Sequence, residues 1–214
     1  MARKLYYSGR SPYARKVRIV LAEKQLPYEH VEANIRQKTP EFLRLNPIGK
    51  IPVLVDENGL VFWDSTLIVE YLDETYPQPS FYPSDRLERL RCRQGEELAD
   101  AMTDQVVARW YEARKGNQAK ASVEARHQQD MDRMLAVFET QLGKTPYLLN
   151  DQFTAVDIAA LCGLGYYTLR FGPSWQRQWP RLGQWFEGLH QRSSVQETMP
   201  VKDTTLLKHS QTHL

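Results

Sequence analysis

Ser11-Pro12-Tyr13-Ala14, Asn46-Pro47-Ile48-Gly49-Lys50-Ile51-Pro52-Val53-Leu54 and Trp63-Asp64-Ser65 follow one another within residues 11–65, and their order decides the fold. The first opens a helical pattern with a hydroxyl at the cap position and proline in the first turn. The second sets a proline at the head of an apolar run, an edge position for a strand. The third places an acid and a hydroxyl where another helix begins. Each piece is weak alone.

Working outward, residues 3–8 read as a short strand, and residues 12–24 repeat Val17, Val20 and Leu21 on one helical face. Leu26-Pro27 stops that helix, and residues 28–33 follow as a second strand. Thr39-Pro40-Glu41 opens a short helix carrying Phe42, Leu43 and Leu45, which Asn46-Pro47 closes. The apolar runs 51–55 and 60–63 flank Asp56-Glu57-Asn58-Gly59, a hairpin signal that predicts antiparallel pairing. Residues 65–76 then place Leu67, Ile68, Tyr71 and Leu72 on one face of a helix that ends before Pro77. The order is β-α-β-α-β-β-α. Residues 76–83 hold three prolines within 77–83, a connector rather than an element, and we expect domains at 1–80 and 85–214.

Beyond residue 84 strand signals nearly vanish. Long helical patterns occupy 87–114 and 122–142, joined around Lys115-Gly116-Asn117. Thr154-Ala155-Val156-Asp157 is a capping-box pattern with Asp in place of Glu or Gln, and Phe153 and Ile158 stand as its hydrophobic staple. A further helix, 180–192, carries Leu182, Trp185, Phe186 and Leu189 on its apolar side, and after Pro200 the chain turns polar, a loosely held tail. The fold class expected is α/β plus all-α.

The 214 residues, 42% hydrophobic and 25% charged, suit a soluble globular protein with a sizeable core. A net charge of +2 gives no broad footprint for nucleic acid. The four arginines of residues 86–93 are interleaved with acids and read as a solvated helix face. No apolar stretch has the length of a signal peptide or of a membrane span, so a cytoplasmic location and no membrane partner are expected. Cys92 and Cys162 are far apart and lack a CxxC, the pattern of reduced, buried thiols. His209 and His213 stand i, i+4 without a carboxylate or thiol beside them, so no metal site is assigned.

With Pro52-Val53-Leu54, Asp64-Ser65 and Thr154-x-x-Asp157 at this mutual spacing, the chain resembles bacterial glutathione S-transferases over essentially its whole length. The resemblance implies a thioredoxin-like N-terminal domain, an all-helical C-terminal domain, pairing as a homodimer, and glutathione as co-substrate with an electrophilic small molecule. Glutathione reacts as its thiolate, yet a free thiol with pKa ~8.5 is mostly protonated at neutral pH. Ser11 is the catalytic candidate: its hydroxyl and the N–H groups of the helix start are placed to donate to sulfur, with Arg10, Arg15 and Arg18 adding to the local potential. Ser11-Pro12-Tyr13-Ala14 resembles the Cys-Pro-Phe-Ala stretch of omega-type members. Tyr6 and Tyr7 compete for the role, since other classes use a tyrosine from the end of the first strand; strand packing is their simpler use.

The remaining roles also follow from the resemblance. Family members hold a cis proline where Pro52 stands, although only ~5–6% of X-Pro bonds are cis in general. Ile51 then offers its N–H and C=O to the cysteinyl unit, and Lys50 either reaches for the glycyl carboxylate or is simply an exposed surface lysine. Ser65 suits the γ-glutamyl carboxylate and Asp64 its ammonium, where many members carry Glu; both are also ordinary caps. Trp110, Tyr111, Tyr166 and Tyr167 are candidates to line the co-substrate pocket or simply to pack the core.

Two other classes stay open. One is a glutathione-dependent isomerase of the zeta kind or a thiol oxidoreductase; the first usually has Ser-Ser-Cys where Ser11-Pro12-Tyr13 stands, and the second needs a cysteine at position 11. The other is a non-catalytic scaffold: residues 17–24 and 70–74 resemble stringent-starvation-type proteins, which use this fold to bind RNA polymerase.

Overall fold

The computed structural model describes residues 1–114 and 121–200. The join at Lys115-Gly116-Asn117, the polar tail and the histidine pair lie outside these residues. The N-terminal half runs β1(Lys4–Tyr7), α1(Pro12–Glu23), β2(Glu29–Glu32), α2(Pro40–Leu45), β3(Val53–Val55), β4(Val61–Trp63) and α3(Ser65–Thr75). Helices follow: α4(Arg86–Arg114), α5(Ala121–Leu142), α6(Ala155–Phe171), α7(Trp175–Gln178), α8(Pro180–Leu189) and α9(Ser193–Glu197). A small sheet domain thus precedes a helical domain.

The sheet has strand order β2-β1-β3-β4. Parallel β1 and β2 require the crossover that α1 supplies, whereas β3 and β4 pair antiparallel through their short turn. In that turn Gly59 takes φ +82°, a conformation open to glycine, and the Asn58 side chain accepts from the Leu60 N–H at 3.0 Å. Val17, Val20 and Leu21 are buried as their spacing requires, with Leu5, Leu54, Ile68 and Leu72 in the same core. Leu67 and Leu43 depart from expectation: both are exposed, since each sits at the margin of its helix's apolar stripe.

The proline-rich connector is held from both sides. The Lys24 ammonium donates to Asp73 at 3.0 Å and to the Tyr76 and Pro79 carbonyls at 2.6 Å each. The Asp73 carboxylate accepts from the Phe81 and Tyr82 N–H groups at 2.8 and 3.1 Å. The Gln78–Pro79 bond is cis, which the sequence did not signal.

In the helical domain α6 is the central element, buried along most of its length and packed on α4. Gly163 permits this approach, because a Cβ there would collide with the Thr103 hydroxyl. The capping box forms: Asp157 accepts from the Thr154 N–H at 2.9 Å, and also from the Leu148 N–H at 3.0 Å and the Trp185 indole at 3.1 Å. Burial pushes the Asp157 carboxyl up to about 6 against the pull of these donors. The helix at 180 stops at Leu189, and a separate short turn, α9, follows.

Charged groups fill the seam between the two domains. Lys16, buried on α1, donates to Glu96 at 2.9 Å, Asp100 at 2.7 Å and Thr66 at 2.8 Å, and Tyr82 donates to Glu96 at 2.6 Å. Burial favours loss of the Lys16 proton, but the two carboxylates outweigh it and hold the ammonium above its ordinary range. Arg192 grips Glu23 with two bonds of 3.0 and 2.8 Å.

Candidate functional site

Strand register brings the three sequence pieces to one end of the sheet. Tyr6 faces Val53 across β1 and β3, and Val53 faces Trp63 across β3 and β4. Because both pairs are antiparallel, the exit of β1 toward Ser11, the entry of β3 at Pro52 and the exit of β4 toward Asp64 lie side by side. Two interstrand spacings of ~4.8 Å give a width of ~10 Å, close to an extended tripeptide at ~3.3–3.6 Å per residue.

Ser11 caps α1 at φ −74° and ψ 122°, its Oγ accepting from the Ala14 N–H at 3.2 Å. That bond uses an oxygen lone pair and leaves the hydroxyl hydrogen for another acceptor. The residue is half-buried at the positive end of a 12-residue helix.

The Ile51–Pro52 bond is cis, as the resemblance implies. Buried Asn46 shapes the approach to it: its Nδ2 donates to the Lys50 carbonyl at 2.8 Å and its Oδ1 accepts from the Ile48 N–H at 3.0 Å. Among the described residues the Ile51 N–H and C=O meet no backbone partner. The Lys50 side chain is exposed, and the Lys38 side chain lies over Gly49, whose φ is +71°. Sequence reasoning passed over Lys38, which no local pattern ties to this loop.

Asp64 stands at φ +79°, a rare conformation for a residue with a side chain, and its carboxylate accepts from the Thr66 and Leu67 N–H groups at 3.0 and 3.2 Å. Its carboxylate is therefore occupied as a cap. Ser65 is 5% exposed, and among the described residues its hydroxyl has no hydrogen-bond partner.

The competing tyrosines are packed. Tyr6 tilts on Phe42, while Tyr7 stacks on His30 with ring centroids 4.0 Å apart and lies beneath the Arg18 guanidinium. Burial pushes the Tyr7 phenol up to about 12 despite Arg18, so it resists ionisation. Two of the three arginines expected to raise the thiol's potential point elsewhere: Arg15 is buried and donates to the Val195 carbonyl at 3.1 Å, and Arg18 donates to the Thr198 carbonyl at 3.2 Å. Their i, i+3 spacing puts both on the face of α1 turned toward α9, a relation no local pattern reveals.

Tyr13, given no role of its own in the sequence reading, reaches across the seam and donates to the Asp104 carboxylate on α4. Burial and that carboxylate keep its phenol protonated, well above the ordinary range. Among the aromatic candidates, Tyr166 and Trp110 flank the Arg170 guanidinium at 4.9 and 4.3 Å. Tyr111 is exposed, and Tyr167 turns away to line a separate cavity of about 200 Å³ with Trp175 and Trp179. Cys92 and Cys162 are free and buried, their thiols pushed up to about 12 and about 11 by burial, so neither is poised as a nucleophile. Among the described residues no helix is long and apolar enough to cross a membrane.

Comparison with known proteins agrees with this geometry. Residues 5–80 match the glutathione S-transferase N-terminal domain and residues 108–188 the glutathione S-transferase C-terminal domain. The chain is 34% identical over 201 residues to the uncharacterized GST-like protein YibF of Escherichia coli, covering 93% of this chain and 99% of that one. It is 33% identical to the probable glutathione S-transferase parC of Nicotiana tabacum, covering 92% and 88%. Among solved structures, a glutathione S-transferase of Methylobacillus flagellatus with glutathione bound superposes with a TM-score of 0.85 at 38% identity, covering 94% of this chain and all of that one. A glutathione S-transferase of Methylobacterium radiotolerans, in complex with glutathione sulfonate, gives 0.85 at 32% identity, covering 95% and 97%. With both halves matched in order and relatives aligned over nearly the whole length, the chain belongs to the glutathione S-transferase family.

Proposed function

We propose that this protein is a glutathione transferase: it binds glutathione at the sheet end and activates its thiol to attack a small electrophile. In the reaction the sulfur loses its proton and forms a C–S bond, while the leaving group departs with the electron pair. Residues 1–80 hold the thiol and residues 85–214 supply the co-substrate side. Ser11 donates its free hydroxyl hydrogen to the thiolate at the positive end of α1. Ile51 pairs with the cysteinyl unit through its N–H and C=O, with Pro52 fixing the turn. Ser65 binds the γ-glutamyl carboxylate, Asp64 its ammonium through the lone pairs its cap leaves unused, and Lys50 the glycyl carboxylate.

The observation that carries this reading is Ser65, a 5% exposed residue at a helix start whose hydroxyl, like the Ile51 backbone at the same sheet end, has no partner among the described residues. An unmatched hydroxyl at such a place has a natural partner in a carboxylate. Leu67 on α3 and Leu87 and Leu90 on α4, 48%, 56% and 54% exposed, support pairing of two copies through these helices. Two free cysteines fit a reducing, cytoplasmic setting.

The test is a titration of the purified protein with glutathione, following heat for affinity and thiolate ultraviolet absorbance across pH for activation. Saturable binding with a lowered thiol pKa is expected. Binding without a pKa shift overturns the transferase reading in favour of a carrier, and no binding at millimolar glutathione favours a scaffold.

A further inference from the structure

Arg170, near the end of α6, lies over two rings, Trp110 at 4.3 Å and Tyr166 at 4.9 Å, and its guanidinium donates a hydrogen bond to the Tyr166 hydroxyl. Among the described residues its buried Nε has no hydrogen-bond partner and no carboxylate pairs with the guanidinium. Neighbouring Arg109 differs in this respect: it lies over Phe171 at 4.2 Å but is neutralised by Glu124. A guanidinium set against aromatic rings and lacking a carboxylate of its own keeps in-plane N–H donors, the kind that receive a carboxylate.

The position of Arg170 ties it to the thiol side of the cleft. α6 packs against both α4 and α1, the helix that Ser11 opens, and at Gly165, next to Tyr166, an added Cβ would meet the Arg15 guanidinium of α1 at 2.7 Å. The one carboxylate that Tyr13 reaches on α4, Asp104, already accepts the Tyr13 hydroxyl.

We propose that the electrophilic co-substrate carries a carboxylate, which the N–H donors of Arg170 receive beside Trp110 and Tyr166. This rests on the transferase reading above and adds to it a substrate class: an anionic rather than a wholly apolar electrophile. Arg170 acts on specificity, and the thiol chemistry stays with Ser11.

The decisive experiment compares 4-chloro-3,5-dinitrobenzoate with its methyl ester, each rate normalised to the uncatalysed reaction with glutathione, in the wild type, Arg170→Met and Arg170→Lys. The wild type should favour the carboxylate in kcat/KM by about tenfold, the worth of one charge-assisted hydrogen bond. Arg170→Met should remove that preference while leaving the ester's kcat/KM and glutathione affinity within about twofold, and Arg170→Lys should keep part of it. Absence of the preference in the wild type, its survival in Arg170→Met, or an equal fall for both substrates overturns the inference. Should neither substrate turn over, the transferase reading fails separately, and calorimetry with naphthalene-2-carboxylate against naphthalene-2-carboxamide decides the site. Tighter carboxylate binding that Arg170→Met abolishes supports it; equal binding overturns it.

Discussion

The Lys16 ammonium donates to the Thr66 hydroxyl at 2.8 Å, pinning α1, which Ser11 opens, to the first turn of α3, which carries Ser65. Thr66 passes the contact on, donating to Asp100 at 3.0 Å. On the proposed function, Thr66 acts as a positioning residue for its neighbour Ser65. Thr66→Val should cost ~1 kcal/mol of stability and raise the KM for glutathione several-fold, with kcat within about twofold and rescue by Thr66→Ser. Steady-state kinetics beside a denaturant titration separates these effects.

Ser11 is a helix cap, and the proposed thiolate donor role can be divided from that by substitution. Ser11→Ala removes both cap and donor, and should cost ~1 kcal/mol of stability, whereas Ser11→Gly should cost only a few tenths. Both should raise the pKa of bound glutathione by about one unit, equivalent to ~1.4 kcal/mol, read from thiolate absorbance. An unchanged thiol pKa and turnover in the glycine variant would pass the role to a tyrosine or a backbone N–H.

Ser65→Ala should weaken glutathione binding by about tenfold in calorimetry, the loss of one hydrogen bond to a charged group, while barely slowing kcat. Since the hydroxyl has no partner among the described residues, stability without ligand should change by less than ~0.5 kcal/mol. A large loss of stability instead would mark Ser65 as structural.

Glu23 sets an acid-sensitive latch between α1 and α9. Burial raises its carboxyl pKa, but the Arg192 fork and the Ser194 hydroxyl more than reverse that, leaving it below the ordinary value. The folded state therefore binds this proton more weakly than the unfolded state. Its contribution is present above the unfolded pKa of ~4.3 and is lost as pH falls through the lower folded value. Glu23→Gln should lower stability on the order of 1 kcal/mol at pH 7, allowing for solvent screening, and the two proteins should converge below pH ~4. Parallel thermal melts from pH 3 to 7 test this.

Local signals made much of the fold legible. Ser11, Thr39 and the Thr154/Asp157 box marked helix starts that the structure keeps, and Asn58-Gly59 marked the hairpin. The register that gathers Ser11, Pro52 and Asp64 also follows from strand order once the turn is placed. What stayed hidden is either short or distant. The helices α7 and α9 have four and five residues, too few for a period to show. Arg15 meets Val195 at a separation of 180 residues, and Lys16, a charge on the buried face of α1, makes sense only once Glu96 is seen opposite it. Whether Asp64 caps or binds was likewise undecidable locally, because one residue type serves both ends.

The seam's dependence on ions limits how freely the two halves can be recombined. An apolar seam tolerates a foreign partner of similar volume, but a buried ammonium needs its own carboxylates. A chimera joining this sheet domain to a relative's helices would leave Lys16 unmatched wherever the counterparts of Glu96 and Asp100 are neutral, a defect of about 3–5 kcal/mol. Inheritance of the two halves is thereby coupled at a handful of positions, and substitutions there should spread in pairs, one on each side.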